Sequence, residues 1–205
     1  MKDTKKILLE TAADMFAKYG FMGVSTRALA KESGVNLCSI NYYFGSKRRL
    51  YEAVIEDIVD FILNNFVSKM HYETDEISCP REEIKVIFCR LFDFLCGEKI
   101  SEVKVELLLR EFINPSSAYS TFYKLVFEPL HQRISDLISS DCNLSKDDSI
   151  VLAHALIGQI VMFKIHKKAL LLRLEEEEYT SDLLLNIKKQ LQHNIDAVLD
   201  NVKGS

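Results

Sequence analysis

Apolar residues recur at three- and four-residue spacing through nearly the whole chain. In the first segment Ile7, Leu8, Ala12, Met15, Phe16 and Tyr19 form one such face, which predicts an amphipathic helix. Gly20 predicts its end, because helix C-termini favour a residue that takes positive φ at low cost. Ser25 is placed to cap a short second helix, Thr26 to Ser33, that Gly34 closes. Asn36 is placed to cap a third, Leu37 to Tyr43, and Ser46 a fourth, from Lys47 to about Ser68, with Leu50, Val54, Ile58, Phe61 and Ile62 facing inward. The stretch His71 to Cys79 is polar and aperiodic, so a connection is expected there. Pro80 suits the first turn of a fifth helix, where its missing N–H costs nothing, and that helix should run to about Cys96. Helical patterns follow at about 101–112, 117–138, 147–172 and 181–202. Breaks are expected at Asn114 to Ser117, at Ser139 to Ser145 and at the acidic run Glu175 to Glu178, with a kink near Pro129. No segment alternates long enough to predict a strand, and the fold class expected is all-α, with about nine helices.

Composition narrows this picture. Seven Gly and three Pro in 205 residues are too few for a turn-rich β protein. The net charge of −4 argues against a nucleic-acid partner until it is divided along the chain. Residues 1–50 hold nine Lys and Arg against four Asp and Glu, a net +5. Residues 51–205 hold 17 against 26, a net −9. A basic head precedes an acidic body. The first ten residues lack a signal-peptide pattern, and the longest apolar region, Ile150 to Phe163, is interrupted by His154 and Gln159 and falls short of a bilayer span. A cytoplasmic protein with no membrane partner is expected. The five cysteines (Cys38, Cys79, Cys89, Cys96, Cys142) are odd in number and show no zinc spacing, which predicts free thiols and no metal or cofactor site.

Residues 25–44, STRALAKESGVNLCSINYYF, predict a short helix, a tight turn through Gly34 and a second short helix. Leu29, Ala30, Val35 and Ile40 are the small apolar residues that lock the two together. Such a helix-turn-helix can project its second helix into the major groove of DNA, although a Gly-bearing corner between helices is by itself a weak signal. The flanks add weight. The run from Ile7 through Val54 resembles the DNA-binding domain of the TetR family of bacterial transcriptional regulators over about residues 4–55. The anchors of the match are Ile7-Leu8, Ala12-Ala13, Phe16, Gly20, Leu29-Ala30, Gly34-Val35, Tyr42, Phe44, Ser46-Lys47 and Leu50. The segment INYYFGSK, with LLLREFINPSSA and HALIGQIVMFKIHKKALLLRL later on, is similar to the CerR-type subgroup of that family.

The resemblance implies a DNA-binding head at residues 1–50, linked by the helix at about 47–68 to a ligand-binding and dimerisation domain at 51–205. It places DNA contacts at Ser25, Thr26, Arg27, Asn36, Leu37, Cys38, Ser39, Asn41, Tyr42, Tyr43, Ser46, Lys47 and Arg48. Residue chemistry fits several of these. Arg27 and the Tyr42 hydroxyl can reach phosphates, and Lys47 starts a helix whose dipole attracts an anion. The Asn41 amide offers a donor and an acceptor together, which suits an adenine edge. Leu37, Cys38 and Tyr43 depart from the residues common at these positions in the family, so base preference does not carry over. After Ser46-Lys47, Arg48 and Arg49 replace the usual acidic residues. Cations at a helix N-terminus cost roughly 0.3–1 kcal/mol each, which points to a phosphate backbone nearby.

The helices at about 147–172 and 181–202 carry more apolar surface than one core contact needs and are expected to pair in a homodimer. Arg110, Tyr119, His154, Gln159 and His166 are polar residues within apolar helices and are the candidate contacts to a small-molecule effector. No nucleophile–base pair, phosphate-cradling loop or metal-binding triad supports catalysis. The reading is a non-enzymatic regulator, a ligand-responsive repressor that binds a palindromic double-stranded DNA operator as a homodimer. The alternative is a helical small-molecule-binding or enzymatic module that does not touch DNA.

Overall fold

A computed structural model describes residues 4–68, 77–97 and 99–203. The connection expected at His71 to Cys79 lies, up to residue 76, outside the described residues. Among those described, all regular structure is helical. The helices are α1 (Thr4–Gly23), α2 (Thr26–Ser33), α3 (Leu37–Phe44), α4 (Lys47–Ile62), α5 (Pro80–Cys96), α6 (Glu102–Ile113), α7 (Tyr119–Phe122), α8 (Glu128–Cys142), α9 (Lys146–Ile165), α10 (Lys167–Leu174) and α11 (Ser181–Lys203). Two π-helical turns, Leu63–Val67 and Tyr123–Phe127, follow α4 and α7.

The helix boundaries follow from their capping residues. Ser25 accepts from the Ala28 amide at 3.1 Å, Asn36 from Cys38 at 2.9 Å and Ser46 from Arg49 at 3.2 Å, so each of α2, α3 and α4 starts on the side chain the sequence assigns to it. Gly34 closes α2 at φ +65°, and a Cβ there would meet nothing, so conformation and not space demands glycine. Gly20, at φ +71° and ψ 166°, breaks α1 just where its amphipathic face ends.

Several expectations are corrected. The stretch 147–172 is two helices, not one: α9 stops at Ile165, and His166, at φ −99° and ψ 19°, turns the chain into α10. The break expected at Ser139 to Ser145 shrinks to three residues, because α8 continues to Cys142 and Asn143 closes it in the left-handed region. Pro129 does disturb its helix. It sits in the first turn of α8, directly after the π turn Tyr123–Phe127, where its missing N–H needs no partner. Tyr19 is exposed and does not join the inner face of α1.

The chain forms two compact units. The first comprises residues 1–63 with 100–126, the second 64–99 with 127–205. Both points at which a helical run passes from one unit to the other, after residues 63 and 126, fall inside the π turns. The core of the first unit gathers Leu8, Ala12 and Phe16 of α1, Leu29 and Ala30 of α2, Ile40 and Phe44 of α3, and Leu50, Tyr51 and Val54 of α4. Phe16 and Tyr51 meet edge to face at 5.1 Å. The core of the second unit packs Ile84, Ile87, Phe88 and Phe92 of α5 against Ile134 and Ile138 of α8, Leu156 and Ile160 of α9, and Leu191, Ile195 and Leu199 of α11.

Candidate nucleic-acid interface

The thirteen residues assigned to DNA contact all lie in the first unit, on the starts of three consecutive helices and along α3. The capping side chains Ser25, Asn36 and Ser46 mark those starts. Thr26 and Ser39 are half-buried behind them, with the Ser39 amide bonded to the Asn36 carbonyl at 2.9 Å. α3 turns Ile40 and Phe44 inward against α2 and α4. Leu37, Cys38, Asn41, Tyr42 and Tyr43 are left exposed. Tyr42, 82% exposed, does not pack on α1. Its ring meets Tyr43 edge to face at 5.0 Å. An exposed helix face with two aromatic rings, an amide and a thiol is costly in water and useful against a ligand surface.

The cations around this face are held differently from one another. Lys47 is half-buried. Its ammonium donates to the carbonyls of Phe21 at 2.9 Å and Val24 at 2.8 Å and lies 4.2 Å from the centre of the Phe21 ring. Two of its three N–H donors are therefore occupied by the turn between α1 and α2, so the free phosphate clamp expected from the sequence is in large part a strut. Arg48 donates through Nε to Glu52 at 3.2 Å and to the Ser117 hydroxyl at 3.1 Å. Ser117 also donates to Glu52. That hydroxyl bond, opposed by some burial and helped by Arg48, holds the Glu52 carboxyl below the usual range. Arg27 and Arg49 are exposed, and among the described residues neither guanidinium is hydrogen-bonded or within 4 Å of a carboxylate, although Arg49 adds to the field that lowers Glu52.

Behind the face, α6 supplies a buried polar cluster that the sequence did not disclose. Glu111, 1% exposed, accepts from the Tyr51 hydroxyl at 2.6 Å, from the Ser116 amide at 3.1 Å and from the Ser116 hydroxyl at 2.9 Å. Burial, then the bond to Glu111, pushes the Tyr51 phenol far above its ordinary value. A Glu in a helix pattern gives no sign of a partner 60 residues away, as Tyr51 is. Arg48–Glu52, an i,i+4 pair, was readable, whereas Ser117 was not.

The effector candidates divide between the two units. Arg110 and Tyr119 belong to the first unit, and His154, Gln159 and His166 to the second. Arg110 bonds the Ala17 carbonyl at 2.7 Å and Glu106 at 2.9 Å. Tyr119 sits among Phe112, Phe122 and Tyr123 at ring distances of 6.0–6.5 Å. Gln159 accepts from Asn194 at 3.1 Å, tying α9 to α11. His154 lies 5.7 Å from His131, whose imidazole is pushed down by burial and then by His154. His166 is exposed at the α9–α10 corner. The five cysteines are thiols outside any disulfide, and no group of three or more metal-ligating side chains occurs among the described residues.

Known proteins agree with this arrangement. Residues 8–54 match the bacterial regulatory proteins of the tetR family, and residues 80–202 match the C-terminal domain of the HTH-type transcriptional dual regulator CecR. The chain is 30% identical over 211 residues to CecR of Shigella flexneri, covering 98% of this chain and 93% of that one. Among solved structures, a TetR-like transcriptional regulator from Rhodococcus sp. RHA1 superposes with a TM-score of 0.66 at 21% identity, over 95% of this chain and 96% of the other. AibR in complex with isovaleryl coenzyme A and operator DNA does so with 0.65 at 14% identity, over 96% of each. These are regulators and not enzymes. With a helix-turn-helix whose outer face is exposed and a near-full-length relative at 30% identity, the chain belongs to the TetR family of DNA-binding transcriptional regulators, with a C-terminal domain of the CecR type.

Proposed function

We propose that the protein is a ligand-responsive repressor that binds a palindromic operator as a homodimer in the cytoplasm. The observation that carries the DNA part is the exposed face of α3, flanked at the starts of α2 and α4 by the exposed guanidinium groups of Arg27 and Arg49, neither of which is hydrogen-bonded. Asn41 and Tyr43, with Leu37 and Cys38 in the leading turn, face base edges. Ser25, Thr26, Arg27, Asn36, Ser39, Tyr42, Ser46, Arg48 and Arg49 line the phosphates. Lys47 contributes its remaining N–H there while its other two hold the turn. In this reading residues 1–50 act as the DNA-binding head and 51–205 as the sensing and pairing body.

One recognition helix reads only a few base pairs, so two are needed about 34–36 Å apart or a multiple of that. The exposed side of α9 supports pairing. Val151, Ala155, Gly158, Met162 and Ile165 succeed one another at four- and three-residue spacing. Val151, Met162 and Ile165 are 68%, 50% and 49% exposed, and a Cβ on Gly158 would meet nothing, so a second helix can approach closely there. α9 is also long and apolar enough by composition to cross a bilayer. Ligand-driven release follows by population shift, with the effector favouring a spacing of the heads that no longer fits successive major grooves. AibR, bound to an acyl coenzyme A and to operator DNA, supports a small-molecule effector for this relative of its fold, and Arg110, Tyr119, His154, Gln159 and His166 remain the candidate contacts.

Selection from random duplex DNA by the purified full chain tests the reading, with sedimentation equilibrium in detergent-free buffer beside it. The expected result is an inverted-repeat sequence and a dimer. Failure to enrich any sequence contradicts the DNA part. A monomer contradicts pairing through α9, and a protein recovered only in detergent assigns the α9 stripe to lipid instead.

A further inference from the structure

The turn between α1 and α2 is held from outside by two cations. Gly20, at φ +71° and ψ 166°, interrupts the helical backbone of α1 three residues before its end. Lys47 of α4 takes the carbonyls of Phe21 and Val24. Arg110, in the last turn of α6, takes the carbonyl of Ala17 at 2.7 Å through Nη2, and its Nη1 lies 3.6 Å from where a Cβ on Gly20 would stand. The same Nη2 bonds Glu106 at 2.9 Å, while the Arg110 Nε is buried with no partner. A buried donor left unpaired is costly, so the guanidinium is kept where it is by what its other nitrogens hold. Next along α6, Glu111 binds Tyr51 of α4. Residues 110 and 111 thus grip both helices that flank the helix-turn-helix. Both lie within the stretch that matches the CecR C-terminal domain, outside the stretch that matches the tetR domain.

We propose that Arg110 is a positioning residue for DNA recognition: by clamping the Ala17 carbonyl at the Gly20 bend it fixes the direction in which α2, and with it α3, leaves α1. This rests on the DNA-binding reading above. A positioning residue touches no phosphate, so its loss must weaken binding to the correct sequence without altering the number of ions released. That separates it from a DNA contact and from general destabilisation.

The test uses the full chain with R110A and R110K, a duplex that the wild type selects from random DNA, and a scrambled duplex of the same length. Amide hydrogen exchange across residues 17–25 is measured without DNA. For R110A the affinity for the selected duplex should fall about tenfold, in line with one charge-assisted hydrogen bond. Scrambled-duplex affinity and the salt slope should stay unchanged, and exchange across 17–25 should speed up. R110K, which keeps one charged donor, should fall between wild type and R110A. If R110A melts below the assay temperature, the same readings on R110K decide. Equal affinity of wild type and variants for the selected duplex overturns the proposal, as does a shallower salt slope, which would make Arg110 a phosphate contact. If the wild type selects no duplex, the DNA reading itself fails and the proposal with it. Faster exchange alone would then leave Arg110 as a clamp with no DNA to position.

Discussion

The cations that join α5, α8 and α11 in the second unit are held differently from those beside α3 in the first. In the second unit Arg81 bonds Asp141 at 3.0 Å, pairs with Asp196 and donates to Asp200. Lys85 takes Asp196 at 2.8 Å and Glu82 at 2.9 Å, Lys188 takes Asp93 at 3.0 Å and Lys203 takes Asp141 at 2.9 Å. Arg133 forks onto Glu83 with two bonds of 2.8 Å. These pairs tie α5 to α8 and α11 and are internally satisfied. In the first unit Arg27 and Arg49 face solvent, and the pair around Arg48 lies at the surface. A net charge of −4 conceals this contrast. In the proposed reading, Arg27 and Arg49 beside the exposed face of α3 are the cations available to a polyanion.

Substitutions at the α9 stripe should have the largest effect on function. Ala155→Asp with Met162→Lys places charge on the proposed pairing face and should leave a helical monomer by sedimentation and circular dichroism. Operator affinity should fall more than a hundredfold, because two half-sites no longer bind together. Unchanged dimers would show that other helices pair.

Glu83→Ala and Arg49→Ala then set the two units against each other. Glu83 is 2% exposed, whereas Arg133 is about half exposed, so removing the carboxylate should cost on the order of 2 kcal/mol in urea unfolding, less than for a fully buried pair. The salt slope of DNA binding should not move. Arg49→Ala should change stability by less than about 0.5 kcal/mol and make the salt slope shallower by about one per protomer. Exchanged outcomes would break the contrast.

The smallest effect concerns pH. His131 has its folded-state pKa depressed by burial and by His154, so the unfolded chain binds more protons below about pH 6.5. Stability of the second unit should therefore fall as pH drops from 7 towards 5, and His131→Asn should flatten that fall. A slope unchanged in the variant would assign it to other groups.

The periodicity made most of the helices legible, and three caps fell on the residues expected, because Ser25, Asn36 and Ser46 act within their own turn. The helix break at His166, itself a candidate contact, was not legible, since the apolar pattern runs through the corner it makes. That Ile40 is buried while Asn41 and Tyr42 are exposed was legible from the helical spacing of α3. The second role of Lys47 was hidden for a different reason: its acceptors are backbone carbonyls more than twenty residues upstream, and backbone acceptors leave no mark in a sequence. The bond of Arg110 to the Ala17 carbonyl was hidden likewise, and that of Glu111 to the Tyr51 hydroxyl by its 60-residue separation.

The central claim, that DNA meets the basic surface around α3, is tested most directly by the salt dependence of affinity for a selected duplex, wild type against Arg48→Ala with Arg49→Ala. If the dimer covers about six phosphates, log K should fall against log salt with a slope near −5. The double variant should bind all sequences more weakly with a visibly flatter slope. An identical slope in wild type and variant would contradict the account.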